Sequence, residues 1–270
     1  MIKRFFTEAI DFIRQIYVNR FLIKELTKRD FKASYIKNIL GLSWALLEPM
    51  FMMSILWLVF TYIRIRKPGE YPFAVYLLTG MIAFDYFNKS LGKATGSIKA
   101  YDFLVKKVNF RVAIIPMVKI ISELFLHLII MGIVMIILIF NHVYPSFYWL
   151  QVIYYIFALY MLLVGISWFT SSVQLFFPDI SNIITLGTRV LFFLTPIFWT
   201  IDIFPKRLAI FVKLNPLYYI VSGYRDSFLY HIAFWEKPEL TLYYWCFTLL
   251  SIIIGVIVFK KLRPHFADVI

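Results

Sequence analysis

Ionisable residues set inside long apolar runs are where this sequence could do chemistry. Lys119, Glu123 and His127 recur at i, i+4 and i+8, one stripe of a helix. Asp85 and Lys89 repeat the i, i+4 spacing, and Glu48 stands directly before Pro49. Charges in such runs are costly unless they are paired or face a polar cavity. Two readings of the stripe stay open: the polar lining of a conduit, or internal pairing of Lys119 with Glu123 near the end of the run. Chemistry of other kinds finds no residues to carry it. There is no GxxxxGK[ST] phosphate loop, no GxGxxG and no HExxH. The four histidines, His127, His142, His231 and His265, lack metal-ligand spacing. No serine or cysteine nucleophile with a nearby base can be assembled from local sequence. No cofactor or metal is expected on this chain, and any uphill work must come from a nucleotide-hydrolysing partner.

The elements that position these residues must be membrane helices. Apolar residues make up 61% of the 270 and charged ones 16%, too much apolar surface for one soluble core. A bilayer solvates such faces directly. Six spans are predicted, at roughly 40–62, 72–92, 112–140, 148–175, 182–201 and 240–260. Ahead of them, residues 2–20 alternate apolar and charged faces with helical period and read as an amphipathic helix in the interface plane. The division is therefore an interface helix over 1–26 and a membrane domain over 27–270. The segment 27–39 is basic and short. The N-terminal 25 residues lack the pattern of a cleaved signal, so the first span is expected to serve as an uncleaved anchor. Residues 195–234 are too apolar for a free loop and too broken by Pro196, Pro205, Pro216 and Gly223 for one span. Two short half-helices that dip in and return are predicted there.

The net charge of +13 reads as topology rather than as a nucleic-acid footprint. With the N-terminus inside, eighteen Lys and Arg fall on cytoplasmic segments and eight on external ones. Both termini are therefore expected in the cytoplasm, in a plasma membrane. Cys246 is the sole cysteine, so no disulfide forms within the chain. Aromatic content is 20%. Such an excess fits a route for something amphipathic or sugar-rich, because sugars stack on aromatic faces, and fits lipid-facing filler as well.

Several stretches together resemble a known family. RDFKASYIKNILGLSWALLEPM (29–50) resembles the entry to the first span of bacterial ABC-2-type polysaccharide-export permeases. FFPDI (176–180) is similar to that family's Phe-Arg-Asp-Ile, with Pro178 where Arg is usual. TPIFWT (195–200), LNPLYYIVSGYRDSFL (214–229) and the terminal FADVI also match, in the right order along the chain. Within the family, the NPLYYIVSGYRDS run and the basic loop IRIRKPGE (63–70) point to wall teichoic acid export in Gram-positive bacteria, with O-antigen exporters as the sister group.

The resemblance implies an all-α integral membrane fold of six spans, an N-terminal interface helix and two external re-entrant helices. It implies a second copy of the chain and two copies of a separate ABC ATPase that binds ATP and Mg. The cargo would be undecaprenyl-diphosphate-linked polymer, moved outward through a channel between copies. The basic segment Lys28, Arg29, Asp30, Lys32, Tyr35 and Lys37 is a natural ATPase-docking surface or an anionic-lipid anchor. Lys106, Lys107 and Asp179 are further coupling candidates. Phe51, Trp57, Phe84, Tyr86, Phe192, Phe193, Phe198 and Trp199 would line the glycan path. Arg64, Arg66, Lys67, Arg111 and Arg225 would meet the diphosphate or the polyanion. Two other classes fit the sequence less well. An integral-membrane transferase needs a paired acid and base at an interfacial loop, and Asp102 alone does not supply it. An ion-coupled carrier would show inverted repeats, which the sequence lacks.

Overall fold

A computed structural model of the protein describes residues 18–35, 41–62, 71–106, 111–203 and 205–269. Among those residues all regular structure is helical. Helix α1 spans Arg20–Tyr35. Ile23, Leu26, Thr27 and Asp30 recur at helical spacing on its buried face, and Lys24, Lys28, Arg29 and Lys32 are exposed. The boundary expected at residue 26 falls within this helix, because no glycine or proline interrupts it and its buried face runs straight across that position. Most of the predicted amphipathic helix, residues 2–17, lies outside the described residues.

Helix α2 spans Gly41–Tyr62, with Pro49 inside it, and α3 spans Phe73–Thr95. Fifteen of the 23 residues of α3 are buried, which makes it the centre of the bundle. It packs against α2, α6 (Ile114–Phe140), α7 (Gln151–Phe176), α8 (Ile180–Leu194) and α10 (Pro216–Arg225). Two one-turn helices, α4 (Ser97–Ala100) and α5 (Asp102–Val105), turn the chain from α3 toward α6. Helix α1 lies along α6.

Helices α7 and α11 (Pro238–Leu262) form the most extensive pairing. Glycines let their backbones touch. A Cβ on Gly255 would run into the Gly165 carbonyl, and one on Gly165 would stand 2.7 Å from the Ile252 nitrogen. Small residues at such crossings replace the hydrophobic drive that lipid removes. A short helix, α12 (Phe266–Val269), closes the described chain, with Phe266 against Phe176 and Phe259.

Among the described residues three segments are long and apolar enough to cross a bilayer by length and composition alone: Ile114–Phe140, Phe147–Phe176 and Pro238–His265. Helix α3 carries Asp85, Lys89 and Lys93, which dilutes its hydropathy. Helix α8 ends at Leu194 rather than near Ile201. Thr195 precedes Pro196, and its ψ of 135° is the extended backbone that a following proline enforces. The fifteen residues of α8 rise about 22 Å, short of the ~30 Å hydrocarbon core.

Beyond that break come α9 (Lys206–Lys213) and α10. The Asn215 side chain caps α10 by accepting from the Leu217 amide at 3.0 Å, with Pro216 at the first helical position. The Asn215 amide in turn donates to Thr195 at 2.8 Å, which ties the start of α10 to the end of α8. Helix α10 passes into a π turn, Asp226–Tyr230. Lys237 donates to Asp226 there, and Gln151 bridges the Ile232 carbonyl and the Phe234 amide. These bonds hold the turn to the starts of α11 and α7.

Candidate functional site

Helices α3 and α6 run in opposite directions, and each carries a stripe of ionisable residues on the face that meets the other. On α3 these are Asp85, Lys89 and Lys93; on α6 they are Lys119, Glu123 and His127. At the end nearest α1, the Lys119 amine donates to Asp30 of α1. The Tyr101 hydroxyl donates to the same carboxylate oxygen at 2.9 Å. Burial and the adjacent Asp30 carboxylate push the Tyr101 phenol up to about 12. One level further in, Glu123 accepts from Lys93 and from the Tyr35 hydroxyl, both at 2.6 Å. Lys93 also sits 4.3 Å from the Tyr35 ring centroid. Next, Lys89 lies 3.1 Å from Asp85 and 3.8 Å from Glu48 of α2.

His127 continues the column. Its ring stacks on Tyr86 with centroids 4.8 Å apart, and its Nε2 is 2.9 Å from the Tyr224 hydroxyl on α10. The residue after Tyr224 is Arg225, buried to 4% exposure. Its guanidinium donates to the carbonyls of Pro196 and Ile197 and to the Tyr76 hydroxyl at 2.9 Å, and lies over the Tyr76 ring at 3.5 Å. A Cβ on residue 80 would overlap that guanidinium, so Gly80 makes the room. Separate groups of polar contacts are thus stacked along α3 and α6 between α1 and α10. Buried charges persist only when compensated: the three lysines are each paired with a carboxylate, and Arg225 is held by carbonyls and a hydroxyl.

Internal pairing of Lys119 with Glu123, one of the two readings of the stripe, does not form: Lys119 pairs with Asp30 and Glu123 with Lys93. Packing decides this: α1 and α3 each offer an opposite charge at closer range than the next turn of the same helix. Asp85 and Lys89 do pair along their helix, as their spacing predicts. Lys93, one turn beyond Lys89, extends the Asp85–Lys89 stripe. Asp30 and Tyr35, expected on a docking surface, are inside, because helical period places them on the face that meets α6.

The rest of the basic surface is outward. Lys28, Arg29 and Lys32 are exposed on α1, and Lys106 is exposed beside α5. Arg29 lies 5.6 Å from the Tyr101 ring and 5.4 Å from the Phe103 ring, which joins α1 and the α4–α5 turn into one surface. Asp179 is exposed at the turn before α8, and Arg111 is half-buried before α6. Lys37, Lys107, Arg64, Arg66 and Lys67 lie outside the described residues. Arg225, expected to meet a polyanion, instead braces the α8–α9 break from within.

Four of the path aromatics come together. Phe192 lies 5.3 Å from Phe84, 5.3 Å from Phe193 and 5.7 Å from Phe198. Trp199 borders them, donating to the Phe193 carbonyl at 3.1 Å. Tyr86 is separate, turned toward α6. Phe51 and Trp57 are exposed on α2, and Trp57 lines an apolar cleft with Met53, Leu77 and Ile137.

The sequence matches the family model described as ABC-2 type transporter over residues 22–229. The chain belongs to the ABC-2 type transporter family. Similar ABC-2 proteins include the O-antigen export system permease protein RfbA of Klebsiella pneumoniae. It is 26% identical over 251 residues, covering 92% of this chain and 95% of that protein. A Myxococcus xanthus RfbA is 23% identical over 226 residues, covering 82% of this chain and 85% of its own length. The polysialic acid transport protein KpsM of Escherichia coli is 26% identical over 248 residues, covering 90% and 94%. The three matches cover between 82% and 92% of this chain.

Proposed function

We propose that this chain is the membrane-spanning permease of an ATP-driven polysaccharide exporter. The observation that carries the reading is the near full-length similarity to O-antigen and polysialic acid permeases. In this reading α2, α3, α6, α7, α8 and α11 are six spans, and α9 and α10 re-enter from outside. Both termini and the α1 end face the cytoplasm of a bacterial plasma membrane. Two copies of the chain pair with two copies of an ABC ATPase, which carries the ATP and Mg. The ATPase docks on Lys28, Arg29, Lys32, Lys106 and Asp179. Movement of α1 reaches the bundle through Asp30–Lys119 and Glu123–Lys93.

The cargo is read as undecaprenyl-diphosphate-linked wall teichoic acid, on the strength of the NPLYYIVSGYRDS run and the basic loop 63–70. A second reading, an O-antigen-type polysaccharide, is favoured by the polymers named for the relatives. Phe84, Phe192, Phe193 and Phe198 offer ring faces suited to sugar stacking.

Affinity purification from the native membrane tests the exporter. An ABC ATPase should co-purify in equal amount, with hydrolysis raised by lipid-linked polymer. A chain that purifies alone, and confers no polymer-dependent hydrolysis on any added ATPase, would refute the reading. Supplying teichoic acid and O-antigen lipid precursors separately to the complex decides the cargo.

A further inference from the structure

Helix α3 packs against both α2 and α6, and a cleft of about 190 Å³ runs between those two with α3 as its floor. Met53, Leu77 and Val134 are buried at its base, while Met50 and Trp57 are exposed at its rim. Ser54, its sole hydroxyl, is spent on the Met50 carbonyl at 2.8 Å. Apolar spaces of this size, ~150 Å³ and above, stay dry and take hydrocarbon ligands. The cleft also has a length. From Leu46 to Trp57 on α2 the helix rises ~16 Å. One leaflet supplies half of the ~30 Å hydrocarbon core, about the same distance. So narrow a space excludes a helix ~10 Å across and fits a single acyl chain.

One end of the cleft is charged. Ile130 belongs both to the cleft and to the polar pocket beside it, which Asp85, Lys89 and His127 line. Lys89 serves two carboxylates there, Asp85 at 3.1 Å and Glu48 at 3.8 Å, whereas Lys93 and Lys119 are each matched to one. This end therefore holds one carboxylate in excess, and the Glu48 side chain, 69% exposed, carries it outward. A carboxylate left unmatched at membrane depth is costly. An anionic lipid head would add to the excess. A primary ammonium brings the missing positive charge and three donors, and the phosphate of the same head complements Lys89.

We infer that the α2–α3–α6 cleft is a binding site for one acyl chain of an ethanolamine-headed phospholipid, whose ammonium meets Glu48 and Asp85. The lipid is a resident part of the folded protein and not its cargo. The inference goes beyond the exporter reading and needs only that the chain spans a membrane.

The test places the full chain in vesicles that contain either phosphatidylethanolamine or phosphatidylglycerol with a photoreactive group in mid-chain. After illumination, the labelled peptides are mapped by mass spectrometry. Residues 46–57 and 130–137 should be labelled about fivefold more by phosphatidylethanolamine than by phosphatidylglycerol. Ile253 and Ile257, exposed on α11, should take an equal background from both. Glu48→Gln should erase the preference between the lipids. Ser54→Trp, which fills the cleft from its exposed rim and leaves the buried base untouched, should remove the excess labelling altogether, and Ile133→Phe should do so from α6. Cleft labelling no higher than that of α11, equal labelling by the two lipids, or labelling unmoved by both filling substitutions would each overturn the inference. Selective labelling of a chain that recruits no ATPase would refute the exporter and leave this site standing. A working exporter with an unlabelled cleft would do the reverse.

Discussion

Glu123 shows how burial turns a single side chain into a structural commitment. Its side chain is 1% exposed, whereas that of its partner Lys93 is 35% exposed. Removal of either partner is therefore unequal in cost. Lys93→Met strands a carboxylate in the core and should cost about 3 kcal/mol. Glu123→Gln leaves an amine that can reach solvent, and about 1 kcal/mol is expected once screening is allowed for. Thermal unfolding in one detergent checks the order, and equal losses would contradict this account of the pair. Arg225→Lys should be as damaging as Lys93→Met, because an ammonium cannot span two carbonyls, the Tyr76 hydroxyl and the Tyr76 ring. At this scale the sequence revealed stripes without partners. Lys119 and Glu123 look like a pair at i, i+4, yet their partners lie 89 and 30 residues away. Only the packing of α1 and α3 on α6 creates those contacts.

Helices were legible where hydrophobic length or a breaker speaks for itself. The third, fourth and sixth predicted spans match Ile114–Phe140, Phe147–Phe176 and Pro238–His265 closely, since nothing in those runs competes with helix. Helix α8 was read too long because apolar composition continues past Thr195-Pro196 while backbone sterics do not allow the helix to. Helix α1 was split because its second half is basic; its buried face becomes apparent only against α6. The glycine crossing of α7 and α11 carries a prediction of its own. Gly255→Leu would overpack a backbone contact and should cost about 3 kcal/mol, seen as a lower melting point with both helices still formed by circular dichroism. The exposed face of α1 makes a different one. Arg29→Glu with Lys32→Glu should cut recovery of the ATPase in pull-downs several-fold while the permease itself remains folded. Undiminished recovery would move the docking surface elsewhere.

Across the whole molecule, the bundle carries two kinds of incompleteness. It has charges and aromatic faces while its sequence holds no phosphate-binding loop, and it has outward polar groups on α2 and α8 that hydrocarbon would not solvate. The first is an expectation read from the sequence, which lacks phosphate-binding loops. The second was not legible there, because exposure is a property of packing. Both resolve if the chain works as one member of an assembly that draws its energy from elsewhere. The most direct measurement is transport in inside-out vesicles containing this chain, its ATPase and labelled undecaprenyl-diphosphate-linked polymer. The account predicts ATP-dependent passage of polymer into the lumen, abolished when the ATPase is omitted; passage that proceeds equally without ATPase or nucleotide, or no passage with both present, would contradict it.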